Sequence, residues 1–374
     1  MKKLILLAAI ILVATSCQKK QISSIQKEAF DTVYNEKPIS LYTLTNANGL
    51  EMQVTNFGAR IVTLFTPDKN GKMEDIVLGY ENIERYLNNK GERFLGAAIG
   101  RYGNRIAKGQ FKIDSVQYQL STFNNGQSLH GGDKGYDLVV WNVDSVTPNM
   151  ICFSYLSKDG EEGYPGNLDI KMCYTLTDDN ELKITYSAVT DKKTPINLTN
   201  HSYFNLKGEG NGTINDHILY VNSEKYTPVD SVLIPTGEIA TVEGTPFDFR
   251  TPTAIGKRVD EDNQQLKMGK GYDHNFVLNR KSANDMELAA SLYEPQSGRF
   301  MEVFTTEPAI QFYGGNFFTG TSNGKYGKSH AFRESLALET QHYPDSPNQP
   351  SFPNTILEPG KTYTQTCIYK FSVK

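Results

Sequence analysis

The sequence has few of the residues from which most short catalytic and metal-binding motifs are built. Its 374 residues include only four cysteines, six histidines and one tryptophan. No Cys-x-x-Cys pair and no His-Glu-x-x-His pattern occurs, so neither a zinc ribbon, a thiol redox pair nor a metalloprotease is indicated. A Walker motif is also missing, which leaves nucleotide binding without support. We therefore predict a protein with no metal site and no cofactor.

The charge of the chain excludes a second group of partners. The formal net charge is −4, and no basic stripe of the kind that binds phosphate backbones or anionic membranes is present. We predict no nucleic-acid partner.

Interior hydrophobic runs are short, and the longest apolar stretch lies at the N-terminus. Two lysines precede the run from Leu4 to Val13, which is too short to span a bilayer as a stable anchor. Small residues then lead directly to Cys17, a pattern that resembles a bacterial lipoprotein signal. We predict a signal peptide over residues 1–16, lipidation of Cys17 and a polar tether over 17–30. An ordinary secretory signal is the alternative.

This leader predicts an exported bacterial protein, periplasmic or anchored in the outer membrane, that meets a membrane only through its lipid. Three cysteines would remain besides Cys17: Cys152, Cys173 and Cys367. An odd number allows at most one disulfide bond, and the sequence leaves open whether one forms. Buried free thiols are the default expectation.

Apolar and polar residues alternate with a period of two along much of the chain, and the 21 tyrosines and 19 phenylalanines favour strands. Two hairpins are indicated, one around Asp114-Ser115 and one around residues 177–180. Further strands are predicted at residues 50–54, 61–65, 138–146, 150–157, 217–222, 274–279, 286–293, 299–305, 309–313, 335–340 and 363–373.

Helical patterns are scarce. Residues 81–88 could form two turns and residues 252–259 another short piece, with Thr251 as its cap. Because strands predominate and do not alternate with helices, we predict an all-β fold, a large antiparallel β-sandwich. No linker follows residue 30, so residues 31–374 are predicted to form one domain.

Polar clusters interrupt this apolar pattern. The stretch from Asn197 to Leu206 interleaves asparagines and His201 with apolar residues, and buried polar groups need hydrogen-bond partners. Similar clusters lie at strand ends and contain Arg101, Asn104, Arg105, His130, Asp273 and Gln311. Taken singly, each has a structural explanation, such as a surface ion pair, a turn cap or a buried structural histidine.

Glu339 is harder to explain structurally. It follows Ala337 and Leu338 in an otherwise apolar strand. Burial there would desolvate the carboxylate and raise its pKa toward the working range of a general base.

Together these motifs resemble one known family. The matching segments are Asn104–Gly109, Ser128–Gly132, Asp159–Gly166, Asn197–Leu206, Asp273–Asn275, Gln311–Tyr313 and Glu339–Gln341. Their content and order are similar to those of the aldose 1-epimerase, or galactose mutarotase, family, from about residue 34 to the C-terminus. The resemblance implies the galactose mutarotase-like β-sandwich and an isomerase that interconverts the α and β anomers of galactose, glucose or a related aldose.

The resemblance also implies a role for each residue. Glu339 matches the general base and His201 the general acid, both expected to have pKa values near neutrality. The implied sugar-binding residues are Asn104, Arg105, His130, Asp273 and Gln311, and candidates to stack on the sugar are Tyr102, Tyr203, Phe204 and Tyr313. The expected partner is a monosaccharide, and the chain is expected to be a monomer or a weak dimer.

Two alternatives stay open at this stage. A lipoprotein with the same fold could bind carbohydrate without converting it. The presence of His201 and Glu339 at the acid and base positions disfavours this alternative. Alternatively, the protein could be a related epimerase that acts on a sugar phosphate. Arg101 and Arg105 are the cationic residues within the motifs that could bind the phosphate.

Overall fold

The fold follows from the period-two pattern. The computed structural model describes residues 22–282 and 285–374, so the predicted signal peptide and Cys17 lie outside the described residues. The strands in chain order are β1 (Thr32–Tyr34), β2 (Lys37–Ile39), β3 (Leu41–Thr45), β4 (Glu51–Thr55), β5 (Arg60–Pro67), β6 (Met73–Asp75), β7 (Ala97–Ile99), β8 (Arg105–Ile106), β9 (Gln110–Ile113), β10 (Val116–Gln119), β11 (Ser128–Leu129), β12 (Asn142–Val146), β13 (Met150–Ser157), β14 (Leu168–Leu176), β15 (Glu181–Thr190), β16 (Thr194–Pro195), β17 (Thr199–His201), β18 (Tyr203–Phe204), β19 (Ile218–Val221), β20 (Ser223–Thr227), β21 (Ala240–Thr241), β22 (Thr253–Ala254), β23 (Asp273–Leu278), β24 (Glu287–Tyr293), β25 (Arg299–Thr305), β26 (Ala309–Tyr313), β27 (Leu336–Gln341), β28 (Ile356–Leu357) and β29 (Thr362–Val373).

Three antiparallel sheets carry most of these strands. The largest has nine strands in the order β12-β13-β14-β15-β29-β25-β24-β19-β22. A six-stranded sheet has the order β18-β27-β26-β23-β20-β21, and a four-stranded sheet the order β3-β4-β5-β6. One apolar cluster contains side chains from all three, for example Ile184, Phe312 and Met52. The prediction of an all-β antiparallel sandwich is confirmed.

Both predicted hairpins are present. β9 pairs with β10 through Ile113↔Val116, and β14 pairs with β15 through Leu176↔Leu182. Along β14 buried residues alternate with more exposed ones, which is the burial expected of a sheet with one face on the core.

The helices are few and short. The α-helices are α1 (Ile83–Leu87) and α2 (Gln264–Gly269), and single 3-10 turns lie at Lys27–Ala29, Ala107–Gly109, Tyr136–Leu138, Glu161–Gly163, Ile255–Lys257, Lys325–Gly327 and Ser346–Asn348. None of the helices in the described ranges is long and apolar enough to cross a bilayer.

One helix prediction is confirmed and another is wrong. α1 falls inside the predicted 81–88 segment, and the Asn82 side chain caps it by accepting from the Arg85 amide. The predicted helical piece at 252–259 shrinks to one 3-10 turn without a side-chain cap, so Thr251 does not cap it. α2 was not predicted; it starts because the Asn263 side chain accepts hydrogen bonds from two helix amides.

The N-terminal part of the described chain packs on the domain. The Glu51 carboxylate accepts hydrogen bonds from the Ile22 and Ser23 amides at 2.8 and 2.7 Å. Ile25 and Phe30 are buried. Residues 22–30, which the sequence predicted as part of a polar tether, therefore contact the folded domain.

The expectation of three free thiols is wrong for two of them. Cys152 and Cys173 face each other across β13 and β14, with Cα atoms 4.1 Å apart, and form a disulfide bond. The pairing follows from the strand register, which the sequence alone does not reveal. Cys367 is a buried free thiol, as expected.

Candidate active site

The acid and base candidates lie on neighbouring strands because the chain changes pairing partner between β17 and β18. His201 ends β17, which pairs with β7, and the next strand, β18, pairs with β27 instead. This switch at Ser202 carries His201 alongside β27, on which Glu339 lies. His201 Nε2 is 3.5 Å from Glu339 Oε1, and both side chains are buried.

Side-chain amides fix the backbone at this switch. The Asn200 Oδ1 atom accepts hydrogen bonds from the Ser202 amide at 3.1 Å and the Ser202 hydroxyl at 2.7 Å. The Asn197 and Asn205 amide groups donate to backbone carbonyls of neighbouring segments at distances between 2.7 and 3.3 Å. The asparagines of this stretch thus hold the strand that carries His201 rather than its imidazole.

His130 and Asn104 hold each other in a strained backbone conformation. Each has a positive φ, +50° and +61°, a region that is costly for residues other than glycine and that recurs at functional sites. The His130 amide donates to the Asn104 carbonyl, and the Asn104 amide donates to His130 Nδ1 at 3.1 Å. Because Nδ1 accepts, the neutral imidazole carries its proton on Nε2 and offers a donor to the cavity.

This tautomer also decides what the site can hold. Ligand atoms of His130, His201 and Glu339 lie within 4.8 Å of one another, a spacing that a transition metal could use. A metal-bound imidazole normally donates its other N–H to an acceptor, whereas the Nδ1 atom of His130 already accepts from Asn104. The geometry therefore suits a sugar hydroxyl better than a metal ion.

A polar pair on β23 and β26 forms the neighbouring wall. The Gln311 side-chain amide donates to Asp273 Oδ1 at 2.7 Å, and Gln311 lies opposite Glu339 in the register of β26 and β27. The buried Arg105 guanidinium lies close enough to Asp273 and Glu339 to be influenced by both charges. Burial lowers the pKa of Arg105, and these carboxylates oppose that shift.

These side chains converge on a cavity of about 360 Å³, which is within the usual range for small-molecule sites. It is lined by Glu92, Phe94, Asn104, Arg105, Asn124, Asn125, Leu129, His130, His201, Tyr203, Leu233, Asp273, Tyr313, Phe317 and Glu339. Gln311 is absent from this wall and contacts the site through Asp273. Of the predicted site residues, Cys17 lies outside the described chain.

Burial controls the electrostatics of the acid–base pair. Desolvation raises the pKa of Glu339 well above its ordinary value, and the nearby Asp273 charge adds to this shift while Arg105 opposes it. Desolvation lowers the pKa of His201 to about 3. The raised Glu339 pKa follows the sequence-based expectation, whereas a near-neutral pKa for His201 was wrong, because the imidazole is enclosed by other rings.

Those rings come from Phe94, Tyr203 and His130. Tyr203 stacks on His201 with ring centroids 4.7 Å apart, and the Phe94 ring is also stacked on His201, at 5.9 Å. The His130 ring meets His201 edge to face at 5.0 Å. Desolvation also lowers the pKa of His130 well below its ordinary value, which favours the neutral form of this imidazole.

Several wall residues were missed by sequence reasoning. They are Glu92, Phe94, Asn124, Asn125, Leu129, Leu233 and Phe317. Most lie in loops, whose direction depends on tertiary contacts rather than on a local pattern. A carboxylate and a pair of asparagines in polar loops look like ordinary surface residues in the sequence.

Other candidates lie away from the cavity. The Arg101 guanidinium is buried and donates to the carbonyls of Pro165 and Gly166 and to Thr194, so it is unavailable to a sugar phosphate. Of the four stacking candidates, Tyr203 and Tyr313 line the cavity, whereas Tyr102 and Phe204 are buried in the core.

Two glycine patterns also have structural roles. Gly131 adopts a φ of +92°, and a Cβ atom there would lie 1.8 Å from the Gly100 carbonyl oxygen, so its close approach is to backbone and not to a ligand. Gly320–Gly324 reads Gly-x-Ser-x-Gly, yet it lies in a loop and is followed by the single 3-10 turn Lys325–Gly327 rather than by an α-helix. The Ser322 hydroxyl is 3.3 Å from the Tyr80 hydroxyl and has no basic partner there, so a nucleophile elbow is not formed.

The arrangement can therefore transfer protons at a bound polar ligand. One carboxyl group and one imidazole lie side by side in an enclosed cavity, with neutral and charged hydrogen-bonding groups around them. No activated serine or cysteine nucleophile lines this cavity in the described chain.

Comparison with known proteins gives a consistent result. Residues 40–370 match the aldose 1-epimerase family. The chain is 43% identical to the galactose mutarotase of Bos taurus, over 91% of this chain and 98% of the relative. It is 38% identical to the aldose 1-epimerase of Escherichia coli K12, over 90% of this chain and 96% of the relative.

Solved structures agree with the sequence relatives. An aldose epimerase homologue from C. elegans superposes with a TM-score of 0.82 at 30% identity, covering 90% of this chain and 99% of that chain. The galactose 1-epimerase of Lactobacillus acidophilus superposes with a TM-score of 0.79, also at 30% identity, over 92% and 97% of the two chains. With the acid–base cavity in place and similarity over nearly its whole length, the chain belongs to the aldose 1-epimerase family.

Proposed function

We propose that this protein interconverts the α and β anomers of galactose, glucose or a related aldose, with Glu339 as general base and His201 as general acid. The observation that carries the proposal is the 3.5 Å contact between these buried side chains inside a cavity of suitable size for a monosaccharide. The anomeric hydroxyl oxygen and the ring oxygen of an aldose are bonded to the same carbon. A base and an acid that serve these two oxygens must therefore be close neighbours.

Proton transfer would open the ring. The reacting form of the pair carries its shared proton on His201 and leaves Glu339 ionised. From this form Glu339 takes the proton of the C1 hydroxyl while His201 gives its proton to the ring oxygen, and the C1–O5 bond breaks to leave the free aldehyde. Rotation about the C1–C2 bond presents the other face of the carbonyl. Ring closure returns both protons and gives the other anomer, so the enzyme ends in its starting state.

The remaining polar groups would hold the sugar during this rotation. Asp273 accepts from sugar hydroxyls, and Arg105 and the Nε2–H of His130 donate to them. Asn104 fixes His130, and Gln311 fixes Asp273. Tyr203 and Tyr313 supply apolar ring surface on the cavity wall.

Polarimetry of freshly dissolved α-galactose and α-glucose tests the proposal directly. The protein should accelerate the approach to the equilibrium rotation well beyond the rate in buffer, in proportion to its concentration. An unchanged rate with both sugars, together with binding of either, would favour the non-catalytic carbohydrate-binding alternative. Family membership and the filled acid and base positions argue against that alternative.

The pH profile should reflect a pair that shares one proton. Between the lowered pKa of His201, about 3, and the raised pKa of Glu339, the two groups together hold one exchangeable proton. Below this window both are protonated and no base is available, and above it both are deprotonated and no acid is available. We expect a bell-shaped dependence of kcat/KM, measured by polarimetry with buffer catalysis subtracted. An acidic limb near the ordinary histidine pKa of 6.5 would contradict this assignment.

Sugar phosphates should be poor substrates. Arg105 lines the cavity together with the carboxyl groups of Asp273 and Glu339, and Arg101 is engaged elsewhere. We expect kcat/KM for galactose 6-phosphate to be at least about tenfold below that for galactose, since a phosphate would lack a cationic cluster. Equal values for the two sugars in the same polarimetric assay would favour the sugar-phosphate alternative.

We further propose that the protein is exported and anchored through a lipid on Cys17, facing sugars outside the cytoplasm. The disulfide between Cys152 and Cys173 supports export, because such bonds persist in oxidising compartments. Mass spectrometry of the wild type and of Cys17→Ala should show loss of the acylated mass in the variant. An unchanged mass would refute lipidation at this residue.

A further inference from the structure

Glu92 is a carboxylate in the cavity for which the proposed reaction has no role. It follows α1 in a loop, and its backbone carbonyl accepts from the Asn89 side chain at 2.6 Å and the Tyr80 hydroxyl at 3.3 Å. Its Oε1 atom accepts from the Phe94 amide at 3.0 Å. The Tyr203 hydroxyl also hydrogen-bonds to the carboxylate. Although Glu92 lies in a loop, its carboxyl group is therefore held in place on the cavity wall.

The strand order places Glu92 and Asp273 on opposite sides of Glu339. Tyr203, which contacts Glu92, lies on β18 at one side of β27. Asp273 lies on β23, which is separated from β27 on its other side by β26. Tyr203 also stacks on the imidazole of His201. Glu92 is thus separated from the acid–base pair by the Tyr203 ring alone.

Carboxyl groups outnumber cations in this cavity. Glu92, Asp273 and Glu339 line it, against Arg105 alone among lysines and arginines in the described wall. The neighbouring Arg93 is bound to Asp137, and Lys270 lies over the ring of Phe317, a wall residue. Burial raises the pKa of Glu92, while the hydrogen bonds from Phe94 and Tyr203 favour its ionised form. A positively charged ligand group would add to that preference.

We propose that Glu92 is a specificity-determining residue that pairs with the ammonium group of amino sugars, so that 2-amino-2-deoxyaldoses are substrates of this site. The amine of such a sugar is bonded to the carbon next to the anomeric centre, so a sugar whose anomeric centre lies at Glu339 and His201 brings its amine to the part of the cavity in which Glu92 lies. The proposal rests on the proposed function for turnover, but not for binding. A charge-assisted hydrogen bond of this kind corresponds to about tenfold in kcat/KM.

The test compares galactosamine with galactose in the wild type and in Glu92→Gln. Glutamine keeps an acceptor oxygen for the Phe94 amide, so the loop should keep its conformation. The ratio of kcat/KM for galactosamine to that for galactose should fall about tenfold in the variant, while galactose itself changes little. Glu81→Gln is the matched control, since this exposed glutamate lies in the same segment and outside the cavity. Its ratio should equal that of the wild type.

Measuring the same kcat/KM ratio over a range of pH separates charge pairing by Glu92 from a purely structural role, because a structural role would not make the ratio depend on the charge of the sugar amine. The preference of the wild type for galactosamine should disappear as the sugar amine loses its proton at alkaline pH, and Glu92→Gln should lack this dependence. Equal ratios in wild type and Glu92→Gln, or a preference that does not change with pH, would overturn the proposal. If the wild type failed to accelerate galactose mutarotation, the proposed function would fall, and calorimetric binding of the two sugars would still decide the role of Glu92.

Discussion

Replacing Glu339 by glutamine should lower kcat for galactose mutarotation by about 10²–10⁴-fold, the usual contribution of one positioned general base. Glutamine keeps the shape of the side chain but cannot take the proton of the C1 hydroxyl. KM should change little, because sugar binding is assigned to Asp273, Arg105 and His130. Polarimetry over a range of sugar concentrations separates the two effects.

The same change should leave the fold intact. Burial of the Glu339 carboxylate is unfavourable, as its raised pKa indicates, so a neutral amide should not lower Tm. Glu51→Gln is a matched control, because Glu51 is also a buried glutamate in a strand but binds the Ile22 and Ser23 amides instead of lining the cavity. It should loosen the N-terminal segment and keep kcat. Wild-type activity in Glu339→Gln would eliminate the proposed base.

The second large effect is expected for His201→Asn. Asparagine retains a polar group of similar reach but cannot deliver a proton to the ring oxygen, so kcat should fall by about 10²–10⁴-fold. The acidic limb of the pH profile should change with it, since that limb belongs to the pair of His201 and Glu339. Steady-state polarimetry at several pH values measures both quantities.

A variant of a structural histidine serves as the control that separates loss of catalysis from loss of protein stability. His217 is fully buried outside the cavity, and its Nε2 atom accepts from the Leu206 amide at 3.0 Å. His217→Asn should lower Tm and leave kcat per folded molecule unchanged. If both histidine variants lost activity in proportion to their loss of folded protein, His201 would be a structural residue and the acid would have to be sought elsewhere.

The sequence predicted the fold class because the period-two pattern is local. The strands at 150–157, 299–305 and 309–313 have the predicted bounds. β3 and β20 were not predicted. The β3 sequence, LYTLT, lacks a clear alternation of apolar and charged residues, and the β20 sequence, SEKYT, contains too few apolar residues. Pairing partners are tertiary properties, and for this reason the disulfide between Cys152 and Cys173 could not be derived.

The candidate site was predictable to a different extent. Glu339 stands out because its apolar neighbours imply burial, and the family resemblance supplied His201 and the sugar-binding set. The low pKa of His201 depends on rings that arrive from distant segments, and Glu92 depends on loop contacts with Tyr80 and Asn89. Neither has a local signal in the sequence.

The position of β29 in the nine-stranded sheet has a consequence for how the protein becomes folded. β29 pairs with β15 on one side and β25 on the other, and in the described chain it is the strand that joins the two halves of this sheet. It follows all the other strands in the sequence. The consecutive strands β12 to β15, and the pair β24 and β25, can form early as local hairpins. Closure through β29 must wait for pairings between distant segments, which form slowly. The core beneath the cavity is therefore completed late, and the return of enzymatic activity during refolding would report the final stage of assembly.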